Sequence, residues 1–435
     1  MSKINKLLLL IPALLLTSCN FKYEYIIDGI EMEEEDMGGD DGIDDAGTYN
    51  VKIWVDTKIV SLTQAQIADF NASNSKIKFN ADVQAVSEGS ATSNMLLDVK
   101  NGADLFVFAQ DQLARLKVGG ALSKITGSFE DRIVADNSAE SVAAAMMGNS
   151  IYAYPMTSDN GYFLMYDKSV FTNEADVANM STLLSKMGSK RLYFKAQSDG
   201  FYAASYWLAK EKDKPESDSL CSCTWDLNED TGTFYDFHDT FHDDNGMIAA
   251  KGLKEIADKS LVTSDNSVSK FGSTAAAVVT GIWDYEAAYN RLGDNLGCAE
   301  MPCFTVDGKT YHLGSYDGYK LLGVKPQRDA KRASACRKLA QFLAGEACQT
   351  ERFQSVSWGP TNINSSQEPD VLNHPGLAAL AKQHKYATQQ AQCPGEWFLS
   401  LKTAASGVTP SSSDAQLRTI LDNYYAGLPV LLSDE

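Results

Sequence analysis

The stretch Leu105-Phe106-Val107-Phe108, followed by Gln110-Asp111, decides the fold that this sequence predicts. Four consecutive apolar residues that end at polar ones are typical of a buried strand. A helical pattern carrying Leu113 and Leu116 comes next, and it ends at Gly119-Gly120. This stretch therefore reads as one strand followed by one helix.

Two more strand and helix pairs precede this stretch. Val51-Lys52-Ile53-Trp54-Val55 predicts a strand, with a helix near residues 62–71. Residues 77–83 alternate with period two, and Met95, Leu96 and Val99 then share one face of a helix. The order β-α-β-α-β-α implies parallel strands joined by right-handed crossovers, so the predicted fold class is α/β.

Length and composition limit the classes of protein that fit. A chain of 435 residues exceeds the size at which a single core usually stops growing, so we expect two lobes. Hydrophobic residues at 44% and aromatic residues at 10% are values typical of globular proteins. The net charge of −19 would repel a polyanion, which excludes a nucleic-acid partner.

The N-terminus carries the features of an export signal. Lys3 and Lys6 precede an apolar run over residues 7–16, which is shorter than the roughly 20 residues that a membrane span needs. Thr17-Ser18-Cys19 then resembles a bacterial lipobox. We therefore predict a signal peptide over residues 1–18, lipidation of Cys19, and a location at the outer face of the cytoplasmic membrane or in the periplasm. A secretory signal with an unrelated cysteine is the alternative.

The segment after Cys19 is rich in acidic residues and glycine. Like charges repel and glycine adds freedom, so residues 19–48 are predicted to form a disordered tether. The spacing of its aspartates lacks the alternating ligands and terminal Glu of an EF-hand calcium loop.

Polar side chains follow each of the three predicted strands. Asp56 and Lys58 follow the first, Glu88 the second, and Gln110 and Asp111 the third. Ligands of open α/β sheets bind beyond the carboxyl ends of the strands, so these residues are candidate binding residues.

Several motifs together resemble extracellular solute-binding protein family 1, the ABC-importer receptors of the maltose-binding-protein type. They are Ile53-Trp54-Val55, the stretch 103–111, Gly120-Ala121-Leu122, Tyr154-Pro155, the stretch 161–168, the stretch 271–283 and the stretch 339–349. The resemblance spans residues 51–427, with residues 210–230 matching poorly as a predicted insertion.

The resemblance implies two α/β lobes joined by hinge strands, with a ligand held in the cleft between them. The chain would cross near residues 154–160, 296–304 and 355–361. Lobe 1 would comprise residues 49–157 and 300–357, and lobe 2 residues 158–299 and 358–435.

The resemblance also implies binding residues. Trp283 and Trp397 align with tryptophans that stack on sugar rings, and Phe108 stands where a third aromatic residue is found. The full predicted set is Asp56, Lys58, Glu88, Phe108, Gln110, Asp111, Asn160, Tyr202, Trp283, Asp284, Trp358 and Trp397. Asn160 and Gln112 depart from an acidic and a basic contact of the family, which argues against a maltodextrin specifically.

The known catalytic motifs do not support an enzyme. The sequence has no G-x-S-x-G, H-E-x-x-H, Walker or G-x-G-x-x-G motif, so we expect that the protein is not an enzyme and binds no cofactor.

The best candidates for zinc ligands are Cys221 and Cys223 together with His238 and His242. The two histidines are placed i, i+4 on a predicted helix. The single residue between the cysteines is tighter than usual zinc spacing, and no metal is predicted.

Seven cysteines follow Cys19, so at least one thiol is unpaired within the chain. Disulfides are allowed in an exported protein, and Cys298/Cys303 and Cys336/Cys348 are the candidate pairs.

The leading hypothesis is a lipid-anchored, monomeric receptor that delivers an oligosaccharide to the permease subunits of an ABC transporter. A receptor for a peptide or polyamine is the near alternative, since the negative charge suits a cation. A surface glycosidase or an adhesive lipoprotein is the alternative from another class.

Overall fold

Two five-stranded sheets form the framework of the computed structural model. It describes residues 43–228 and 231–432 in full, and the backbone of the strands Glu24–Ile27 and Ile30–Glu33. In the first sheet the strands lie in the order Ile77–Ala85, Gly47–Val55, Leu105–Ala109, Lys320–Val324 and Ala153–Thr157. The three N-terminal strands are parallel, and Lys320–Val324 runs antiparallel to both of its neighbours.

The predicted β-α-β-α-β-α order is confirmed. The helices Val60–Ser73, Glu88–Leu97 and Leu113–Val118 follow the three parallel strands in turn. Leu105, Phe106, Val107 and Phe108 are all buried, as expected of a strand covered on both faces.

The second sheet has the same mixed character. Its strands lie in the order Val262–Thr263, Arg191–Tyr193, Ala275–Thr280, Phe163–Asp167 and Leu296–Ala299. The first three are parallel, and Phe163–Asp167 runs antiparallel to both of its neighbours. All six residues of Ala275–Thr280 are buried, so this strand lies at the centre of a core.

Helices surround both sheets. Around the first sheet they are Val60–Ser73, Glu88–Leu97, Leu113–Val118, Ser128–Asp136, Ala139–Ala144, Ala330–Leu343 and Glu346–Val356. Around the second they are Met180–Lys186, Gly200–Trp207, Asp244–Leu253, Tyr285–Leu292, Pro375–His384, Trp397–Gly407 and Asp414–Gly427, and the short helix Pro369–Leu372 precedes Pro375–His384. No helix in the described part of the chain is both long enough and apolar enough to span a membrane.

The segment between Ala299 and Lys320 lies with the second sheet. The hairpin of Cys303–Val306 and Lys309–His312 pairs with the strand Lys210–Glu211. Phe304 is fully buried, with its ring 5.0 Å from that of Tyr206. The predicted boundaries assign residues 300–317 to lobe 1, but this apolar packing attaches the hairpin to the other core. The chain re-enters the first sheet at Lys320.

Smaller pairings complete the fold. Cys223–Asn228 pairs with Thr233–Asp239 as a hairpin in the predicted insertion. Ser315–Asp317 pairs with Ala387–Gln389. Met146–Met147 pairs with Ser150–Ile151.

The predicted signal peptide and Cys19 lie outside the described residues. Within the predicted tether, Glu24–Ile27 pairs antiparallel with Ile30–Glu33, so the prediction of disorder is wrong for these strands. The reason is local, because the aromatic and β-branched residues Tyr25, Ile26, Ile27 and Ile30 favour strands. At the other end of the tether, Gly47 already belongs to the first sheet and the buried Asp45 carboxylate lies 2.9 Å from Lys338 Nζ.

Candidate functional site

A cavity of about 580 Å³ lies between residues that follow the strands of the two sheets. Eight of the twelve predicted binding residues line it: Asp56, Lys58, Glu88, Asp111, Asn160, Tyr202, Trp283 and Trp358. The structure therefore brings together polar groups of the first sheet and aromatic groups of the second. Asp284, Gln110, Phe108 and Trp397 do not line it.

Turns at the strand ends place the polar groups of the first sheet. The Asp56 carboxylate accepts a hydrogen bond of 2.8 Å from the backbone N–H of Lys58, which caps the short helical turn after Gly47–Val55. Glu88 begins the helix Glu88–Leu97. Asp111 lies in the turn Gln110–Gln112 directly after Leu105–Ala109.

Trp283 lies in the turn after Ala275–Thr280, and glycine at 281 makes room for its ring. A β-carbon at Gly281 would lie 2.2 Å from the indole. The indole is partly exposed and lines the cavity. The local sequence thus combines a buried strand, a residue without a side chain and a ring at the cavity wall.

Lys58 links the two sides of the cavity. Its ammonium donates to the backbone carbonyl of Trp283 and lies 3.6 Å from Asp284 Oδ1. Asp284 Oδ2 in turn accepts a hydrogen bond of 2.7 Å from Thr280. Asp284 therefore forms an ion pair with Lys58 and does not itself line the cavity, which corrects its prediction as a binding residue.

Lys320 is a cavity residue that the sequence reasoning missed. It begins the apolar strand Lys320–Val324 and is only 5% exposed. Its Nζ lies 3.6 Å from Glu88 Oε1 and 3.8 Å from Asp159 Oδ1, and 3.7 Å from the centre of the Trp358 ring. The sequence does carry a signal that could have identified Lys320, because a charged residue stands at the start of an otherwise apolar strand.

Asp111 is the most unusual carboxyl group of the cavity. It is 5% exposed, and burial raises its pKa to about 6. Gln112 Nε2 donates to Asp111 Oδ2 at 2.5 Å, and Arg115 Nη1 donates to Gln112 Oε1 at 2.9 Å. Asp111 Oδ1 has no hydrogen-bond partner among the described residues.

Gln110 is a structural residue, which corrects its prediction as a ligand contact. Its Nε2 donates to the Gln390 carbonyl at 2.7 Å, and its Oε1 accepts from the backbone N–H of Tyr319 at 2.9 Å. Asn160 donates to Gln390 Oε1 at 3.0 Å. The Gln110 amide thereby connects the end of the strand Leu105–Ala109 to the segment that carries Gln390, and of these two predicted residues only Asn160 lines the cavity.

Phe108 and Trp397 are core residues, so their prediction as stacking groups is wrong. Phe108 is fully buried, with its ring 5.7 Å from that of Phe106. Trp397 is 4% exposed, and its Nε1 donates to the Tyr424 hydroxyl at 2.9 Å. Neighbouring residues on a helix point in different directions, so Phe398 faces the cavity where Trp397 does not.

Two phenylalanines complete the aromatic wall. Phe201 and Phe398 line the cavity with their ring centres 6.2 Å apart, and Phe201 also stacks on Tyr316 at 5.3 Å. Each is adjacent in sequence to a residue that was predicted, Tyr202 or Trp397. Ser93, Arg115, Asp199 and Glu396 also line the cavity and were not predicted.

The zinc candidates are arranged differently from a metal site. His238 lies in the strand Thr233–Asp239 and not on the predicted helix, with its Nε2 3.5 Å from Asp226. His242 Nδ1 lies 2.9 Å from Asp239. Residues 43–228 and 231–432 contain no group of three or more His, Cys, Asp or Glu side chains that could hold a metal ion.

The seven cysteines in the described part of the chain are free thiols. They are Cys221, Cys223, Cys298, Cys303, Cys336, Cys348 and Cys393. The candidate pairs Cys298/Cys303 and Cys336/Cys348 are thus not bonded. Cys221, Cys223 and Cys393 line a second cavity of about 540 Å³, and burial raises the pKa of each of these thiols.

Comparison with known proteins adds the family and the fold. Residues 65–379 match the family described as bacterial extracellular solute-binding protein. No curated protein sequence matches this chain.

Solved structures share its two-lobed fold. The maltodextrin binding protein MalE1 from L. casei BL23 is 19% identical with a TM-score of 0.69, covering 88% of this chain and 99% of that one. The GacH receptor of Streptomyces glaucescens GLA.O is 19% identical with a TM-score of 0.68, covering 88% and 98%. The maltotriose binding protein of Thermus thermophilus, bound with maltotriose, is 16% identical with a TM-score of 0.67, covering 86% and 98%.

Proposed function

The chain belongs to the bacterial extracellular solute-binding proteins, and on that basis we propose that it is the carbohydrate receptor of an ABC importer. The observation that carries the proposal is the cavity itself. It combines the rings of Trp283, Phe201 and Phe398 with carboxylate and amide groups around them.

A sugar presents both kinds of surface that this cavity offers. The C–H face of the ring is apolar and packs on an aromatic plane, while the hydroxyl groups at its edge need hydrogen-bond partners. Asp56 and Asn160 supply acceptors and donors beside the rings. A volume of about 580 Å³ lies within the ordinary range for small-molecule sites.

Residues from both sheets line the cavity, which supports a closing mechanism. A ligand held by Asp56 and Glu88 on one side and Trp283 on the other contacts both sides only when they are close together. Binding then shifts the equilibrium towards the closed form, which a permease can distinguish from the open form.

The structural relatives support a carbohydrate in particular, since their names refer to maltodextrin and maltotriose. Asn160 and Gln112 still favour a saccharide other than a maltodextrin. A glycosidase would need a pair of carboxyl groups that act on a bound glycosidic bond, and a turnover assay separates the two functions.

The test is calorimetric titration of the purified full chain against saccharides of different linkage, peptides and polyamines. We expect a saccharide to bind and to raise the melting temperature, because a ligand stabilises the state that it binds. Chromatography should recover the saccharide intact, and X-ray scattering should show a smaller radius of gyration with ligand. Binding of peptides or polyamines without saccharides, or hydrolysis of the saccharide, would refute the proposal.

We further propose that a lipid on Cys19 anchors this extracytoplasmic receptor to the membrane. The support is the lipobox-like sequence Leu16-Thr17-Ser18-Cys19. Cells labelled with a radioactive fatty acid should incorporate it into the wild type but not into Cys19→Ala. Equal incorporation into both would contradict the anchor.

A further inference from the structure

We propose that the ligand is a saccharide that carries a protonated amino group, and that Asp111 binds this group. The inference rests on the proposed carbohydrate-binding function and narrows the class of ligand. Three features of the cavity lead to it: an unpartnered carboxylate oxygen, an excess of carboxylates, and the pairing of two of the three lining cations with other carboxylates.

The unpartnered oxygen is Asp111 Oδ1. Asp111 lines the cavity and is only 5% exposed. Its other oxygen accepts from Gln112, while Oδ1 has no hydrogen-bond partner among the described residues. A buried polar atom without a partner is costly, so a donor from a ligand would be favourable here.

The charge around the cavity favours a cation. Five carboxylate side chains and three cationic side chains line it: Asp56, Glu88, Asp111, Asp199 and Glu396 against Lys58, Arg115 and Lys320. Lys58 is paired with Asp284, which lies outside the lining. Lys320 lies between Glu88 and Asp159, and Asp159 is also outside the lining. An anionic group on the ligand would therefore meet mostly uncompensated negative charge.

Asp111 titrates near neutral pH, whereas the groups that face it do not change their charge there. They are Gln112, Arg115, Tyr316 and Cys393. Burial raises the pKa of the Tyr316 phenol and of the Cys393 thiol well above their usual values, so both are uncharged. Arg115 carries a positive charge but directs Nη1 to Gln112.

Burial raises the pKa of Asp111 to about 6, and a bound ammonium group would lower it again. The affinity for an amine should therefore rise as the pH increases through about 6, because the carboxyl group must lose its proton to form the ion pair. A neutral sugar gains less from this ionisation, because its hydroxyl group donates a hydrogen bond to the carboxylate but forms no ion pair with it. An ammonium–carboxylate hydrogen bond is stronger than a neutral one, so we expect at least a tenfold preference.

The test uses sets of saccharides that differ in one functional group. Cellotriose, the glucosamine trimer and the N-acetylglucosamine trimer share one linkage and carry a hydroxyl, an ammonium or an amide at the same ring position. Glucose, glucosamine and N-acetylglucosamine form a second set. Calorimetry with the full chain should show the amine-bearing member of a set binding at least about tenfold more tightly than its neutral counterparts.

Two further measurements assign the preference to Asp111. Asp111→Asn should reduce the ratio of affinities to near one, while the exposed control Asp131→Asn should keep it. In the wild type, the amine should bind more tightly at about pH 7 than at about pH 5. This pH profile tests the inference even where Asp111→Asn fails to fold.

The outcomes separate this inference from the proposed function. Neutral saccharides that bind as tightly as the amines would overturn the inference and leave the carbohydrate receptor intact. A preference that survives Asp111→Asn would also overturn it. Spermidine binding with no saccharide bound in either set would overturn both.

Discussion

Replacement of Trp283 by Ala should weaken saccharide binding while leaving the fold nearly intact. The indole is partly exposed at the cavity wall and lies against Gly281. Stacking on an aromatic ring contributes roughly 1–3 kcal/mol, by analogy with stacked bases. The dissociation constant should then rise roughly 5- to 150-fold.

Trp397 provides a matched control, because it is the same residue type near the same cavity. It is 4% exposed and donates a hydrogen bond to the Tyr424 hydroxyl. Trp397→Ala should therefore lower the free energy of unfolding by about 3–5 kcal/mol. The folded fraction of that variant should still bind the saccharide.

Titration calorimetry and thermal unfolding of both ligand-free variants measure the two effects separately. Unchanged affinity in Trp283→Ala, with a fall in melting temperature as large as that of Trp397→Ala, would refute the reasoning. Trp283 would then be a packing residue, and the case for a stacked sugar ring would lose its main support.

Three other changes test the framework of the site. Lys320→Met leaves the buried carboxylate of Asp159 and the partly buried carboxylate of Glu88 without their cation. It should cost about 3–5 kcal/mol in urea unfolding, and a loss below about 1 kcal/mol would contradict the pairing. Gly200→Ala would place a β-carbon 2.0 Å from a backbone oxygen of the adjacent helix and should lower the melting temperature, whereas Gly89→Ala, with no atom within 4 Å, should change it little. The hydrogen bond to Asp317 raises the pKa of His384, so its stabilising effect is present below the unfolded-state pKa and is lost as the pH rises through the folded-state pKa. His384→Gln should then lower stability more in acid than in alkali, and an NMR titration that gives His384 a pKa below 6.5 would contradict this.

The sequence by itself was sufficient to predict the α/β order of the elements and the polar residues that follow the strands of the first sheet. Alternating and helical periodicities are local properties, so the strands Gly47–Val55, Ile77–Ala85 and Leu105–Ala109 could be predicted from them. Asp56, Lys58, Glu88 and Asp111 could be predicted because they directly follow strands, and the ends of parallel strands meet at one edge of a sheet.

The tertiary structure alone decided which aromatic residues face the cavity and which charges are compensated. Trp397 and Phe398 are neighbours in sequence, yet one is buried with a hydrogen bond to Tyr424 and the other lines the cavity, because successive helix residues point about 100° apart. The charge on Lys320 is balanced by Glu88 and Asp159, which are distant in sequence and adjacent only after folding. Side-chain direction and long-range pairing depend on the packing of whole elements, and no local pattern of residues contains that information.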